Sequence, residues 1–204
     1  GIVIVAGLGL LDVTDFRAIY RYRRVEFWLG VFTAVAVLVV GMLAGIIIAV
    51  ALSLALVLQR AATPSTAVLG RLPGTDTYRD VVDHPAAEPT PGLFVYRFDA
   101  PLFFANAGRL RDEVLAGIEA ADPPTVCVVL DMESIYDIDS TGAQTLLELM
   151  DGLDEQDVRL VFARVRSELR DELRNSGIEQ RIGTDRIYLE VDDAVRAELP
   201  GSRT

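Results

Sequence analysis

The chain has 204 residues with 19 basic and 30 acidic side chains, a formal net charge of −11, and an uneven distribution of that charge. Residues 1–71 carry a net charge of +3 and residues 72–204 a net charge of −14, which excludes a nucleic-acid surface because phosphates need a basic face. All 19 basic residues are arginine, so sites that depend on a lysine, such as a P-loop or a Schiff base, are excluded as well.

The start of the chain predicts part of a membrane domain. It begins with glycine inside an apolar run, so we expect a fragment of a longer protein in which residues 1–11 form the end of an earlier span. Residues 13–24 are basic and aromatic and predict an interfacial helix at the lipid headgroups.

An almost unbroken apolar run over residues 25–58 predicts a transmembrane hairpin. One helix of this length would measure about 51 Å, whereas the hydrocarbon core is about 30 Å thick. We therefore expect two short helices with a break at residues 41–45, where glycines permit a turn or a close helix contact. Arginines on both sides predict that both ends are cytoplasmic. Beyond Glu26 at its entrance the run has no ionisable residue, so we expect no substrate site within it.

Residues 61–92 are rich in proline, glycine, threonine and aspartate and predict a linker between two domains. His84, the only histidine, lies in this stretch with no cysteine or second histidine nearby, so no metal site is expected. Cys127 lies in an apolar strand pattern and is predicted to be a buried structural thiol without an internal disulfide.

Residues 93–200 predict an α/β domain, a small sheet of four or five strands with helices packed on it, in the order β-β-α-β-α-β-α-β-α. The run 125–132 is apolar apart from Thr125 and Asp131 and is expected to be a central strand covered on both faces. Asn106 and Ser167 are expected to cap helices. The predicted strands are 93–98, 101–105, 125–132, 158–165 and 187–189. The predicted helices are 107–121, a helix that follows the polar loop 137–142 and ends near 156, a short helix from 167 to about 175, and 191–199.

The polar loop 137–142 follows the predicted central strand and opens a helix, and such loops are where α/β domains place their chemistry. A hydroxyl of Ser140 or Thr141 would cap that helix, and a phosphate there would be favoured by the helix dipole. No nucleophile–base pair and no glycine-rich phosphate loop accompany it, so we expect neither an enzyme nor a bound cofactor, and at most weak nucleotide binding.

Several segments in this order resemble the C-terminal third of a SulP-type (sulfate permease) anion transporter. The second half resembles a STAS domain, the cytoplasmic module shared with bacterial anti-sigma-factor antagonists. The segments that carry the resemblance are Gly9-Leu-Leu-Asp12, Arg21-Tyr-Arg-Arg24, the apolar hairpin, Leu69-Gly-Arg-Leu-Pro73, Pro101-Leu-Phe-Phe-Ala-Asn-Ala107 and Asp139-Ser-Thr-Gly142.

The resemblance implies an α-helical membrane hairpin at the end of a transporter bundle, followed by an α/β STAS domain over 93–200. It implies secondary transport of sulfate or a related inorganic anion by the whole protein, with the STAS domain in a regulatory or structural role. It further implies a multi-pass protein of the cell membrane with residues 61–204 cytoplasmic, contacts with lipid and with upstream transporter helices, and a homodimer. The substrate-binding residues of the family lie upstream of Gly1, so none is expected here.

In the anti-sigma antagonists the second hydroxyl residue of this motif is phosphorylated, which corresponds to Thr141 with Ser140 beside it, between Asp139 and Gly142. Two roles therefore stay open for the loop, a phosphorylation switch that contacts a cytoplasmic partner protein and a plain helix cap. Four acidic residues are expected to crowd the loop and to repel an acidic partner once phosphate is added: Asp131, Glu133, Asp137 and Asp139. The alternative function is a stand-alone, membrane-anchored STAS protein that acts as a phospho-dependent partner switch.

Overall fold

The structure is a computed structural model that describes residues 24–199. The predicted partial span 1–11 lies outside the described residues, and so does the predicted interfacial helix 13–24 apart from Arg24. The chain divides into two compact units, Gly1–Gln59 and Arg60–Thr204.

Two apolar helices dominate the described part of the first unit, α1 (Arg24–Val40) and α2 (Met42–Ala62). They are separated by Gly41, whose φ of +99° is a backbone conformation that glycine adopts at little cost. The break therefore falls inside the predicted segment 41–45. Gly45 packs so closely against Val37 that a Cβ at this position would clash with it.

Helix α2 is long and apolar enough to cross a membrane, judged by length and composition, whereas the apolar part of α1, Gly30–Val40, is shorter. Helix α2 continues to Ala62, past the predicted end of the hairpin at residue 58. Large apolar side chains on these helices are exposed, Leu38 at 85% and Leu43 at 75%, and such a surface needs lipid or further protein to cover it.

The second unit is built on a six-stranded sheet with the strand order β2-β1-β3-β4-β5-β6. Strand β1 is antiparallel to both β2 and β3, and the pairs from β3 to β6 are parallel. Helices connect the parallel strands, as βαβ crossovers require. The elements are β1 (Thr66–Arg71), β2 (Tyr78–Asp80), β3 (Leu93–Phe98), α3 (Ala107–Glu119), β4 (Cys127–Asp131), α4 (Ser140–Asp154), β5 (Arg159–Ala163), α5 (Ser167–Asn175), α6 (Ile178–Ile182), a 3₁₀ turn (Thr184–Arg186), β6 (Ile187–Tyr188) and α7 (Val191–Glu198).

The structure corrects the predicted linker over residues 61–92. This stretch supplies β1 and β2, and β1 pairs directly with β3. The inward-facing Ala67 and Leu69 are buried in the same apolar cluster as strands β3 and β4. The physical reason is that two short strands fit between closely spaced turn residues, so the proline and glycine content hides them.

Three further predictions are wrong in detail. The predicted strand 101–105 is only a single bridge between Leu102 and Ile138. Asn106 stands before α3 without a side-chain cap bond. Ser167 is the first residue of α5, and Arg166 occupies the position before it.

The sheet has an apolar cluster on each face. One face packs against α3, α4, α5 and α6, and the other packs against α7. All five residues of β4 are buried, including Cys127, as expected for a strand covered on both faces. This arrangement puts the carboxyl end of β4 and the loop after it at one edge of a well-packed core.

Candidate functional site

The loop 137–142 is held against a second loop that follows β3. Leu102 N donates to the Asp137 carbonyl at 2.9 Å, and Asp139 N donates to the Leu102 carbonyl at 3.0 Å. On the other side, Ile138 N donates to the carboxylate of Glu172 at 3.1 Å. Hydrogen bonds from the loop backbone on both sides therefore fix the position of the loop before helix α4 begins.

Asp139 is the residue that caps helix α4. Its backbone is extended (φ −82°, ψ 174°), and its Oδ1 accepts a hydrogen bond from Gly142 N at 2.6 Å. Its Oδ2 accepts from Phe104 N at 3.0 Å, so one carboxylate joins the helix N-terminus to the loop after β3. The predicted cap by Ser140 or Thr141 is wrong, because these are the first two helical residues and the cap position is the extended residue before them.

Ser140 and Thr141 present their side chains to solvent. Both residues are exposed, and within residues 24–199 neither hydroxyl has a hydrogen-bond partner. The Thr141 carbonyl accepts from the Thr145 hydroxyl at 2.9 Å, a contact that leaves the Thr141 side chain unaffected. The two hydroxyls are thus accessible to a modifying enzyme or a partner protein.

Gly142 has a steric role in the loop. It is buried, and a Cβ at this position would lie 2.7 Å from the Leu102 carbonyl oxygen and 3.1 Å from Cγ1 of Ile138. Glycine is therefore needed here for the close approach of the two loops rather than for an unusual backbone angle.

Two of the four acidic residues predicted to crowd the loop are paired with an arginine. Asp131 is fully buried and its Oδ1 accepts from Nε of Arg164 at 3.0 Å, while Glu133 lies 2.7 Å from Nη1 of the same arginine. Burial lowers the pKa of Arg164, but Asp131 and Glu133 outweigh that effect and raise the pKa above its ordinary value. Asp139 is engaged as the helix cap. Asp137 is exposed, and among the described residues no side chain pairs with its carboxylate.

Sequence reasoning missed the function of Asn106, which it assigned to a helix cap. Asn106 is fully buried, accepts from Phe103 N at 3.0 Å through Oδ1, and donates through Nδ2 to the Pro101 carbonyl at 2.9 Å. Nδ2 also donates to the Ala61 carbonyl at 3.3 Å. The available signal was a lone polar residue inside an otherwise apolar block.

Phe104, in the loop after β3, is 63% exposed and adds an apolar surface beside the loop 137–142.

The described residues offer no group suited to metal binding. Within residues 24–199 there is no cluster of three or more histidine, cysteine, aspartate or glutamate side chains able to hold an ion. The exposed hydroxyls of Ser140 and Thr141 are groups that can accept a phosphoryl group or contact another protein.

Comparisons with known proteins place this geometry in a family. The STAS domain profile matches residues 84–194. A probable sulfate transporter of Mycobacterium tuberculosis is 38% identical over 196 residues, covering 96% of this chain and 35% of that protein. Sulfate transporter 1.1 of Arabidopsis thaliana is 30% identical over 202 residues, covering 95% of this chain and 31% of its own length.

A solved structure agrees in fold. The murine Slc26a9 anion transporter in its inward-facing state matches 94% of this chain and 32% of its own, with a TM-score of 0.80 and 19% identity. At that identity the likeness shows the fold alone. The chain spans about a third of the length of the relatives that it matches. It belongs to the STAS domain family, and its apolar helices and STAS domain together correspond to the C-terminal region of SulP-type transporters.

Proposed function

We propose that this chain is the C-terminal part of a secondary active inorganic-anion transporter of the sulfate type. The observation that carries the proposal is that the similarity to sulfate transporters covers 96% of the chain, the apolar helices as well as the STAS domain. A likeness limited to the STAS domain would have favoured the stand-alone partner switch equally well.

The transport site belongs to the rest of that protein. Between Met42 and Gln59 helix α2 carries no ionisable residue, whereas anion sites within membranes use charged groups or the ends of broken helices. No substrate-binding residue and no catalytic residue is therefore assigned to this chain. The STAS domain takes a regulatory or structural role, without enzymatic activity.

The proposal includes a location and an assembly. The protein would be a multi-pass protein of the cell membrane with residues 61–204 in the cytoplasm. Arg60 in the last turn of α2 supports this orientation, because arginine flanks favour the cytoplasmic side. Lipid and the remaining transporter helices would cover the exposed apolar side chains of α1 and α2, and a homodimer is the expected assembly.

For the loop, we assign the regulatory role to Thr141, with Ser140 as the adjacent hydroxyl. Asp139 already caps α4, so the exposed hydroxyls have no structural task that phosphate would abolish. A phosphate would add about −1.5 to −2 charges at the helix N-terminus. Next to the exposed Phe104, this change would alter the binding of a cytoplasmic partner protein.

Uptake of radiolabelled sulfate by the full-length protein in proteoliposomes tests the proposed function. We expect saturable uptake that unlabelled sulfate suppresses, with bicarbonate, chloride and dicarboxylates as competitors that define selectivity. If well-folded protein takes up no labelled sulfate, and no bicarbonate, chloride or dicarboxylate when each of these is labelled in turn, the proposed transport function is refuted. Phospho-dependent capture of a partner by such an inactive protein would instead favour the partner switch.

A further inference from the structure

The end of helix α2 is capped by a side chain from a distant part of the sequence. The last four carbonyls of a helix have no partner within the helix. In α2 one of these, the Ala61 carbonyl, accepts a hydrogen bond from Nδ2 of Asn106 at 3.3 Å. Both residues lie in the unit Arg60–Thr204, so this contact is part of the packing of that unit.

Asn106 is fixed in one orientation by its neighbours. Its side chain is fully buried, its Oδ1 accepts from Phe103 N, and its Nδ2 donates to the carbonyls of Pro101 and Ala61. A flipped amide would turn its oxygen toward two carbonyl oxygens and its NH₂ group toward an N–H. Because only one orientation pairs these groups, the side chain is a rigid connector.

The connection continues from Asn106 to the loop 137–142. Phe103 N and Phe104 N are successive amides of the same loop, and they donate to Asn106 and to Asp139 respectively. The other carboxylate oxygen of Asp139 caps α4 through Gly142 N at 2.6 Å. Hydrogen bonds on both sides of the Phe103–Phe104 backbone therefore connect the end of α2 with the N-terminus of α4.

We propose that Asn106 is a positioning residue through which phosphorylation of the loop 137–142 affects the end of α2. The proposal rests on the regulatory role assigned above to Thr141. A phosphate at Thr141 would compete with the Asp139 carboxylate for the N-terminus of α4 and repel it. Displacement of Asp139 would break its hydrogen bond with Phe104 N. The loop after β3 would then be less well fixed, and the hydrogen bond from Asn106 to the Ala61 carbonyl would weaken.

The first test removes the hydrogen bonds that Asn106 donates without changing the size of its side chain. Asn106→Asp keeps an acceptor for Phe103 N but removes both donated hydrogen bonds and sets a carboxylate against two carbonyls. The matched control is Asn175→Asp at the exposed end of α5, the only other asparagine of the chain. In the full-length protein we expect amide hydrogen exchange in residues 59–66 and 101–105 to rise about tenfold in the first variant and to stay unchanged in the control.

The second test measures coupling and separates it from a purely structural role. Thr141→Glu, which mimics the added charge, should accelerate exchange in residues 59–66 of an otherwise unaltered protein. In the Asn106→Asp background it should add nothing there, because the connection is already broken. Equal acceleration in both backgrounds, or no effect of Thr141→Glu on residues 59–66, would overturn the proposal.

A third variant covers the case in which Asn106→Asp does not fold. Asp139→Asn weakens the connection at its other end and leaves Asn106 intact, so it should also accelerate exchange in residues 101–105 and 59–66. A change confined to residues 137–143 would overturn the proposal. Hydrogen exchange is measured whether or not the protein transports an anion. Absent uptake would therefore refute the proposed function alone, whereas absent coupling would refute the role of Asn106 alone.

Discussion

The assignment of Asp139 as the cap of α4 leads to a quantitative prediction for Asp139→Ala. Loss of an N-cap side chain costs about 1 kcal/mol. The second bond, to Phe104 N at 3.0 Å, is a hydrogen bond to a charged group, and such bonds contribute about 1.5–3 kcal/mol. We therefore expect Asp139→Ala to lower the free energy of unfolding of the STAS unit by about 2–4 kcal/mol. Asp139→Asn, which keeps an oxygen for one of the two amides, should lose about half as much.

Urea unfolding of the full-length protein in detergent, followed by far-UV circular dichroism, measures this difference as a shift of the transition midpoint at constant slope. Ser140→Ala and Thr141→Ala are the matched controls. Their hydroxyls are exposed and have no partner within the described residues, so each should stay within about 0.5 kcal/mol of the unaltered protein. A loss from either control as large as that of Asp139→Ala would show that a hydroxyl caps the helix and would refute the assignment.

Three further predictions use the same unfolding measurement. Gly142→Ala places a Cβ 2.7 Å from the Leu102 carbonyl oxygen and should lower the free energy of unfolding by about 1–3 kcal/mol. The control Gly152→Ala, in the same helix, meets nothing within 4 Å and should raise it by up to about 1 kcal/mol. Equal effects of the two variants would contradict the close approach of the loops at Gly142. Arg164→Met leaves the fully buried Asp131 without its arginine and should cost about 3–5 kcal/mol, so a loss below about 1 kcal/mol would disprove the pairing. Burial raises the pKa of Glu113, but its hydrogen bonds, that from Tyr96 first, outweigh this effect and hold the pKa below its ordinary value. A lowered carboxyl pKa stabilises the fold above the ordinary pKa, and this contribution is lost as the pH falls through the lowered one. Glu113→Gln should therefore make the free energy of unfolding depend less on pH in this acidic range.

The sequence was most informative where a single physical signal dominated. The apolar run predicted a break at residues 41–45, and the structure has it at Gly41, because glycine is the residue that tolerates a positive φ there. The mainly apolar run 125–132 predicted a central strand, and all five residues of β4 are buried. Both predictions follow from local chemistry and need no knowledge of distant contacts.

The loop was harder because its bonds connect distant parts of the sequence. Ser140, Thr141 and Asp139 are all good capping residues, and a shift of one position in the start of the helix decides among them. Phe104 N, the second partner of Asp139, lies 35 residues away. The role of Asn106 likewise depends on Ala61, 45 residues earlier. Neither separation leaves a periodic pattern in the sequence.

The pairing of β1 with β3 has a practical consequence for preparing the STAS domain in soluble form. A polypeptide that starts at Leu93 would retain nearly all of the predicted domain but would lack β1 and β2. Strand β3, five of whose six residues are buried, would then expose a row of unpaired amides and carbonyls along an aromatic, apolar edge. Such an edge is a template for pairing between chains. A domain that begins before Thr66 keeps β1 as its cover and should remain monodisperse where the shorter one aggregates.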